Sequence, residues 1–169
     1  MKRIISLFLS VLLICTISLP VLAVDESNRS EITQFSYVVF DKNKNVVSSG
    51  ITPNFNSRYS WDGITLENGE YVYFQKTDGT NFVCFKNTRV TFSITKDRRG
   101  DLLCQFLETT GSSNLTGYYL HTVTFPGLTG ATYFSTGTPF YGADTGFYVM
   151  KATNLSSDPI TITSATITF

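Results

Sequence analysis

Side chains that usually carry chemistry are scarce in this chain of 169 residues: one histidine (His121), one tryptophan (Trp61) and three cysteines. A lone histidine cannot complete a four-ligand zinc site, and the cysteines form no C-x-x-C pair. No G-x-S-x-G segment supplies a nucleophile for His121, and no carboxylate stands near it in sequence to orient a base. Two carboxylate pairs, Glu67 with Glu70 and Asp97 with Asp101, are of the type that serves as acid and base in a glycosidase. Both flank turns, where acidic residues are expected on conformational grounds alone. Asp41, Asn43 and Asn45 imitate the first half of a calcium loop. Val46 stands where that loop needs glycine, however, and Thr52 where it needs a bidentate glutamate. The sequence therefore predicts no catalytic residue, no metal site and no cofactor.

Charge of one sign is also lacking. Thirteen basic residues balance thirteen acidic ones, and only 15% of the chain is charged. Such a balance gives no general attraction to nucleic acid or to an anionic membrane. The one basic concentration, Lys96 with Arg98 and Arg99, is diluted by Asp97 and Asp101 and reads as a solvated hairpin end.

Long apolar runs are absent after the first twenty-odd residues. Those residues have the parts of a secretory signal: Lys2 and Arg3, the apolar stretch Ile4 to Leu19, and the ending Val21-Leu22-Ala23. The expected organisation is a signal peptide over 1–23 and one domain over 24–169, secreted or extracellular, with no integral span once the signal is removed. A domain of that length buries roughly two thirds of its unfolded surface and needs no metal to hold it.

Helical periodicity is missing too, and alternation takes its place. Phe35, Tyr37 and Val39 share one side of a strand; Val90, Phe92 and Ile94 share one side of another. After the latter, the run Lys96 to Asp101 turns the chain, and Leu102, Cys104 and Phe106 line one face of the returning strand. Asn68-Gly69 predicts a hairpin between Ile64–Leu66 and Tyr71–Gln75. The segment 155–159 predicts another between the last two strands. Turns every 8 to 12 residues indicate an antiparallel β-sandwich of about eight to ten strands, jelly-roll or immunoglobulin-like.

Cys84 and Cys104, twenty positions apart in an exported chain, are expected to form a disulfide. Closing that loop would stabilise by about 3 kcal/mol. Aromatic residues come as neighbours, among them Tyr71-Val72-Tyr73-Phe74 and Phe147-Tyr148, so that one ring of each doublet faces the core and the other faces out. The irregular stretch around Trp61 offers Arg58, Tyr59, Trp61 and Asp62 as a candidate ligand-binding group: a ring for the apolar face of a sugar, a carboxylate and a guanidinium for its hydroxyls. The expected function is a small exported, non-catalytic binding or surface-interaction module, its partner an extracellular glycan or a surface protein. Two alternatives stand beside it, a carbohydrate-binding module proper and an eight-stranded outer-membrane β-barrel.

Overall fold

The computed structural model describes residues 31–55, 61–84, 90–125, 130–135 and 146–168. The expected signal peptide and two candidate binding residues, Arg58 and Tyr59, lie outside them. Among the described residues twelve strands follow one another: β1 (Glu31–Ile32), β2 (Ser36–Phe40), β3 (Val46–Ile51), β4 (Ile64–Leu66), β5 (Tyr71–Gln75), β6 (Phe82–Cys84), β7 (Thr91–Lys96), β8 (Leu102–Thr109), β9 (Gly117–Phe125), β10 (Gly130–Ser135), β11 (Gly146–Asn154) and β12 (Ile160–Thr168). Several are only two or three residues long, which is why turn spacing undercounts them.

They form two antiparallel sheets. One runs β1-β12-β7-β10 with β4 also on β12; the other runs β3-β2-β5-β11-β8-β9 with β6 also on β11. Their inner faces enclose a common apolar interior, in which Phe35, Phe74, Phe92, Phe106 and Met150 are all fully buried. The protein is a β-sandwich. Two separate sheets with a shared core replace the outer-membrane-barrel alternative, which needs one ring of strands around a lumen.

The alternation of the sequence is realised strand by strand. Val90, Phe92 and Ile94 on one sheet and Leu102, Cys104 and Phe106 on the other are at most 1% exposed. The turns between neighbouring strands behave differently from expectation. Eight of the eleven connections carry the chain from one sheet to the other. Thus β4 and β5, β7 and β8, and β11 and β12 face each other across the core and do not pair as hairpins. β5 and β6 both run antiparallel to β11, so the loop 76–81 interrupts one line of strand and does not reverse it. True hairpins join β2 to β3 and β8 to β9.

That topology also separates the cysteines. β11 lies between β6 and β8; Cys84 stands opposite Gly146 and Cys104 opposite Ala152. Two strand spacings and six residues of rise place the two Cα atoms roughly 20 Å apart, against a limit of about 7 Å for a disulfide. Cys104 is a free, buried thiol, and the expected staple is not formed.

Lys96 departs from expectation in the other direction. It continues the inward row of Phe92 and Ile94 and is 1% exposed, its ammonium donating to the Gly100 carbonyl. Only Arg98 and Arg99 belong to the solvated end, and Arg98 pairs with Asp97 at 3.1 Å. The calcium-like turn closes on itself: the Asp41 carboxylate accepts from the Asn43 and Asn45 amides, each at 2.8 Å, and from Asn45 Nδ2 at 2.9 Å.

Candidate ring-and-lysine surface

Sheet pleating decides which aromatic residues leave the core. In β5, Val72 and Phe74 point inward, so Tyr71 and Tyr73 lie on the outer face of the seven-stranded sheet, Tyr71 half-buried and Tyr73 buried in a small cluster with Leu107 and Val149. Register brings Phe40 of β2 beside Tyr71, and Lys151 and Thr153 of β11 beside Tyr73 and Tyr71. A cluster results on the side of the sheet away from the core.

The rings order one another. Phe40 and Tyr71 stack with centroids 5.5 Å apart and planes at 14°. Tyr73 meets Phe40 edge-on at 5.9 Å and Tyr71 edge-on at 5.7 Å. Lys151 Nζ lies 4.3 Å from the Tyr71 centroid and 5.9 Å from that of Tyr73, within cation–π range. Tyr71 therefore carries Phe40 near one part of its π-system and an ammonium near another. Burial against this apolar ground holds the Lys151 amine below its ordinary pKa.

Two polar groups of this face want partners. Among the described residues Lys151 forms no ion pair and no hydrogen bond beyond its ring contacts. Two positions further along the strand, the Thr153 hydroxyl is buried and has no hydrogen-bond partner among the described residues. Buried polar groups are nearly always satisfied, so such a pair on one face is informative. A half-desolvated ammonium set among rings suits a ligand that brings an acceptor, above all an anionic one.

The group expected from the sequence is placed only in part. Trp61 is half-buried on the main core beside Phe55, with ring centroids 5.2 Å apart, and Asp62 is exposed next to it. The chain then turns at Gly63, whose φ is +87°, where any Cβ would lie 2.7 Å from the Ile162 carbonyl oxygen. The tryptophan thus closes part of the sandwich interior. His121 pairs with Phe106 and Tyr119 with Leu107, neighbours on opposite faces of β8, because the register shifts between them.

Lys151 was missed because an isolated lysine between Met150 and Ala152 carries no sequence signal. The outward tyrosines were legible, since the alternation in Tyr71–Phe74 separates them from the core pair. Their cross-strand partners were not.

The sequence matches no protein-family model and no curated protein. Among solved structures it is similar to a xylan-binding module of family 15, at 16% identity and a TM-score of 0.45 over 83% of this chain and 95% of that one. It is similar also to a family 29 carbohydrate-binding module from Piromyces equi, at 9% identity and a TM-score of 0.45 over 83% and 91%. A third is the C-terminal family 6 module of a marine laminarinase from Zobellia galactanivorans, at 13% identity and a TM-score of 0.39 over 79% and 99%.

Proposed function

We propose that the chain is exported, loses residues 1–23, and works outside the cell as a non-catalytic module that binds an acidic carbohydrate chain on the outer face of its seven-stranded sheet. The observation that carries this reading is the Lys151 ammonium, set over Tyr71 and Tyr73 without a carboxylate partner among the described residues. A uronate carboxylate would supply the missing counter-charge. The half-buried rings of Phe40 and Tyr71 offer apolar contact to the ring carbons of the sugar.

Titration calorimetry against soluble neutral and uronate-bearing polysaccharides tests the proposal. Wild-type protein is expected to bind a uronate-bearing polymer, less tightly as salt rises. Lys151→Ala is expected to weaken that binding by about 10- to 100-fold, the span of a charge-assisted hydrogen bond worth about 1.5–3 kcal/mol, while melting stays cooperative. Equal binding by Lys151→Ala, or no binding to any polymer of the panel, would sink it. The stretch Arg58, Tyr59, Trp61 and Asp62 is a second proposed contact, favoured by the half-exposed indole beside the exposed Asp62. A glycan that shifts the Trp61 emission of the Lys151→Ala protein would move the site there.

A further inference from the structure

A different surface, independent of the glycan reading, points to a second copy of this chain. β3 ends the seven-stranded sheet, pairing through one edge with β2. Its residues are little covered: Val46 is 59% exposed, Val47 53% and Ile51 58%, with Ser48 and Ser49 exposed between them. An edge strand presents a row of unpaired amides and carbonyls, and proteins usually protect it with charges, with proline or by covering it. From Val46 to Ile51 there is neither a charge nor a proline. The one irregularity, a bulge at Val47, falls at the start of the strand and leaves Ser48 to Ile51 in regular register with β2.

We infer that β3 is a homodimer edge, on which two copies join their seven-stranded sheets by antiparallel β3–β3 pairing about a two-fold axis at Ser49. The register follows from the strand itself. Pairing across a two-fold must match outward residues with outward ones. Ser49 and Ile51 lie on the outer face, opposite Val38 and Ser36, while Ser48 and Gly50 lie on the inner face, opposite Val39 and Tyr37. Centring on Ser49 sets Ser49 against Ser49, Ser48 against Gly50, and Val47 against Ile51. The two half-exposed apolar residues of one copy thereby cover those of the other, as cross-strand β-branched pairs do. Gly50 suits the inner row, because the Tyr37 ring already occupies the place of its side chain, the hydroxyl lying 3.0 Å from where a Cβ would be. Lys42 and Lys44, which precede β3, fall at opposite ends of the paired strands and do not oppose each other. The joined sheet sets the two Lys151 clusters on one continuous surface.

Sedimentation equilibrium from micromolar to submillimolar concentration tests the inference. Wild-type protein is expected to reach twice the chain mass. Ser49→Lys brings two ammonium groups face to face and is expected to leave only the single chain mass, with an unchanged far-ultraviolet spectrum. Directly opposed residues of antiparallel strands have Cα atoms about 4.5–5.5 Å apart, within disulfide range. Ser49→Cys is therefore expected to give a covalent dimer on mild oxidation, and the exposed control Asp158→Cys is not. A wild-type protein that keeps the single chain mass throughout overturns the inference. So does a Ser49→Lys protein that still doubles its mass, or a Ser49→Cys protein that crosslinks no faster than Asp158→Cys.

Discussion

Cys104 shows what burial does to one side chain. Its thiol is free and buried, and burial pushes its pKa well above the ordinary value of 9.0, a shift that the nearby Lys96 only partly offsets. A group whose folded pKa is raised leaves stability intact below the unfolded value and removes it as pH climbs past it. The loss begins near pH 9 and steepens to about 1.4 kcal/mol per pH unit. Lys96 and Lys151 act with the opposite sign: desolvation lowers both pKa values, so they return stability as pH rises toward 10.5. Urea titrations between pH 7 and pH 10 should therefore show an alkaline decline in the wild type that is shallower in Cys104→Ala. The native thiol should also resist iodoacetamide at neutral pH until urea is added; rapid labelling of Cys104 in the folded protein would contradict its burial. At this scale alternation placed Cys104 and Phe106 inside and would have placed Lys96 there as well, two residues beyond Ile94. Its charge and its neighbours Arg98 and Arg99 argued for the surface, and packing overrode them.

Between elements, the polar groups at the sheet-crossing corners hold the sandwich in register. Asn154 is fully buried where β11 ends. Its Nδ2 donates to the Leu66 and Asp158 carbonyls, each at 2.9 Å, and its Oδ1 accepts from the Ser156 amide at 2.8 Å. Its own backbone exchanges hydrogen bonds with the Asn68-Gly69 corner: the Gly69 amide donates to the Asn154 carbonyl at 2.9 Å, and the Asn154 amide donates to the Glu70 carbonyl at 3.0 Å. One side chain thus fastens the β4–β5 corner to the β11–β12 corner. Asn154→Ala strands one buried acceptor, one part-buried acceptor and one part-buried donor, and should cost about 3 kcal/mol in denaturant unfolding; a loss below about 1 kcal/mol would mean that water replaces it without penalty. Neither corner was legible as a corner. Asn-Gly, Arg-Gly-Asp and Ser-Asp-Pro segments bend the chain equally well into a hairpin or across a core. What decides is the strand that arrives beside each partner, and nothing local to the turn encodes that.

Taken whole, the sandwich is completed by its last two strands. β11 lies between β5 and β6 on one side and β8 on the other; β12 lies between β1 and β4 on one side and β7 on the other. Each sheet is split without them. A chain ending at Thr145 keeps ten of the twelve strands and should nonetheless be unfolded, with no cooperative melt by circular dichroism and rapid proteolysis; a cooperative transition would show that the earlier strands form a core by themselves. The two-layer architecture was readable from turn spacing and alternation, whereas the central place of the final strands was not, because they pair with segments forty to well over a hundred residues away. The same closure brings together the first described strand and the last. Glu31 stands opposite Thr168 and Ile32 opposite Ile167, about 5 Å apart across the ladder. In covalent terms the fold is nearly a ring with one nick. A short bridge between those ends would close it, and a new opening at the exposed Lys42-Asn43 turn would give a circular permutant with the same sheets and its new termini beside the edge strand β3.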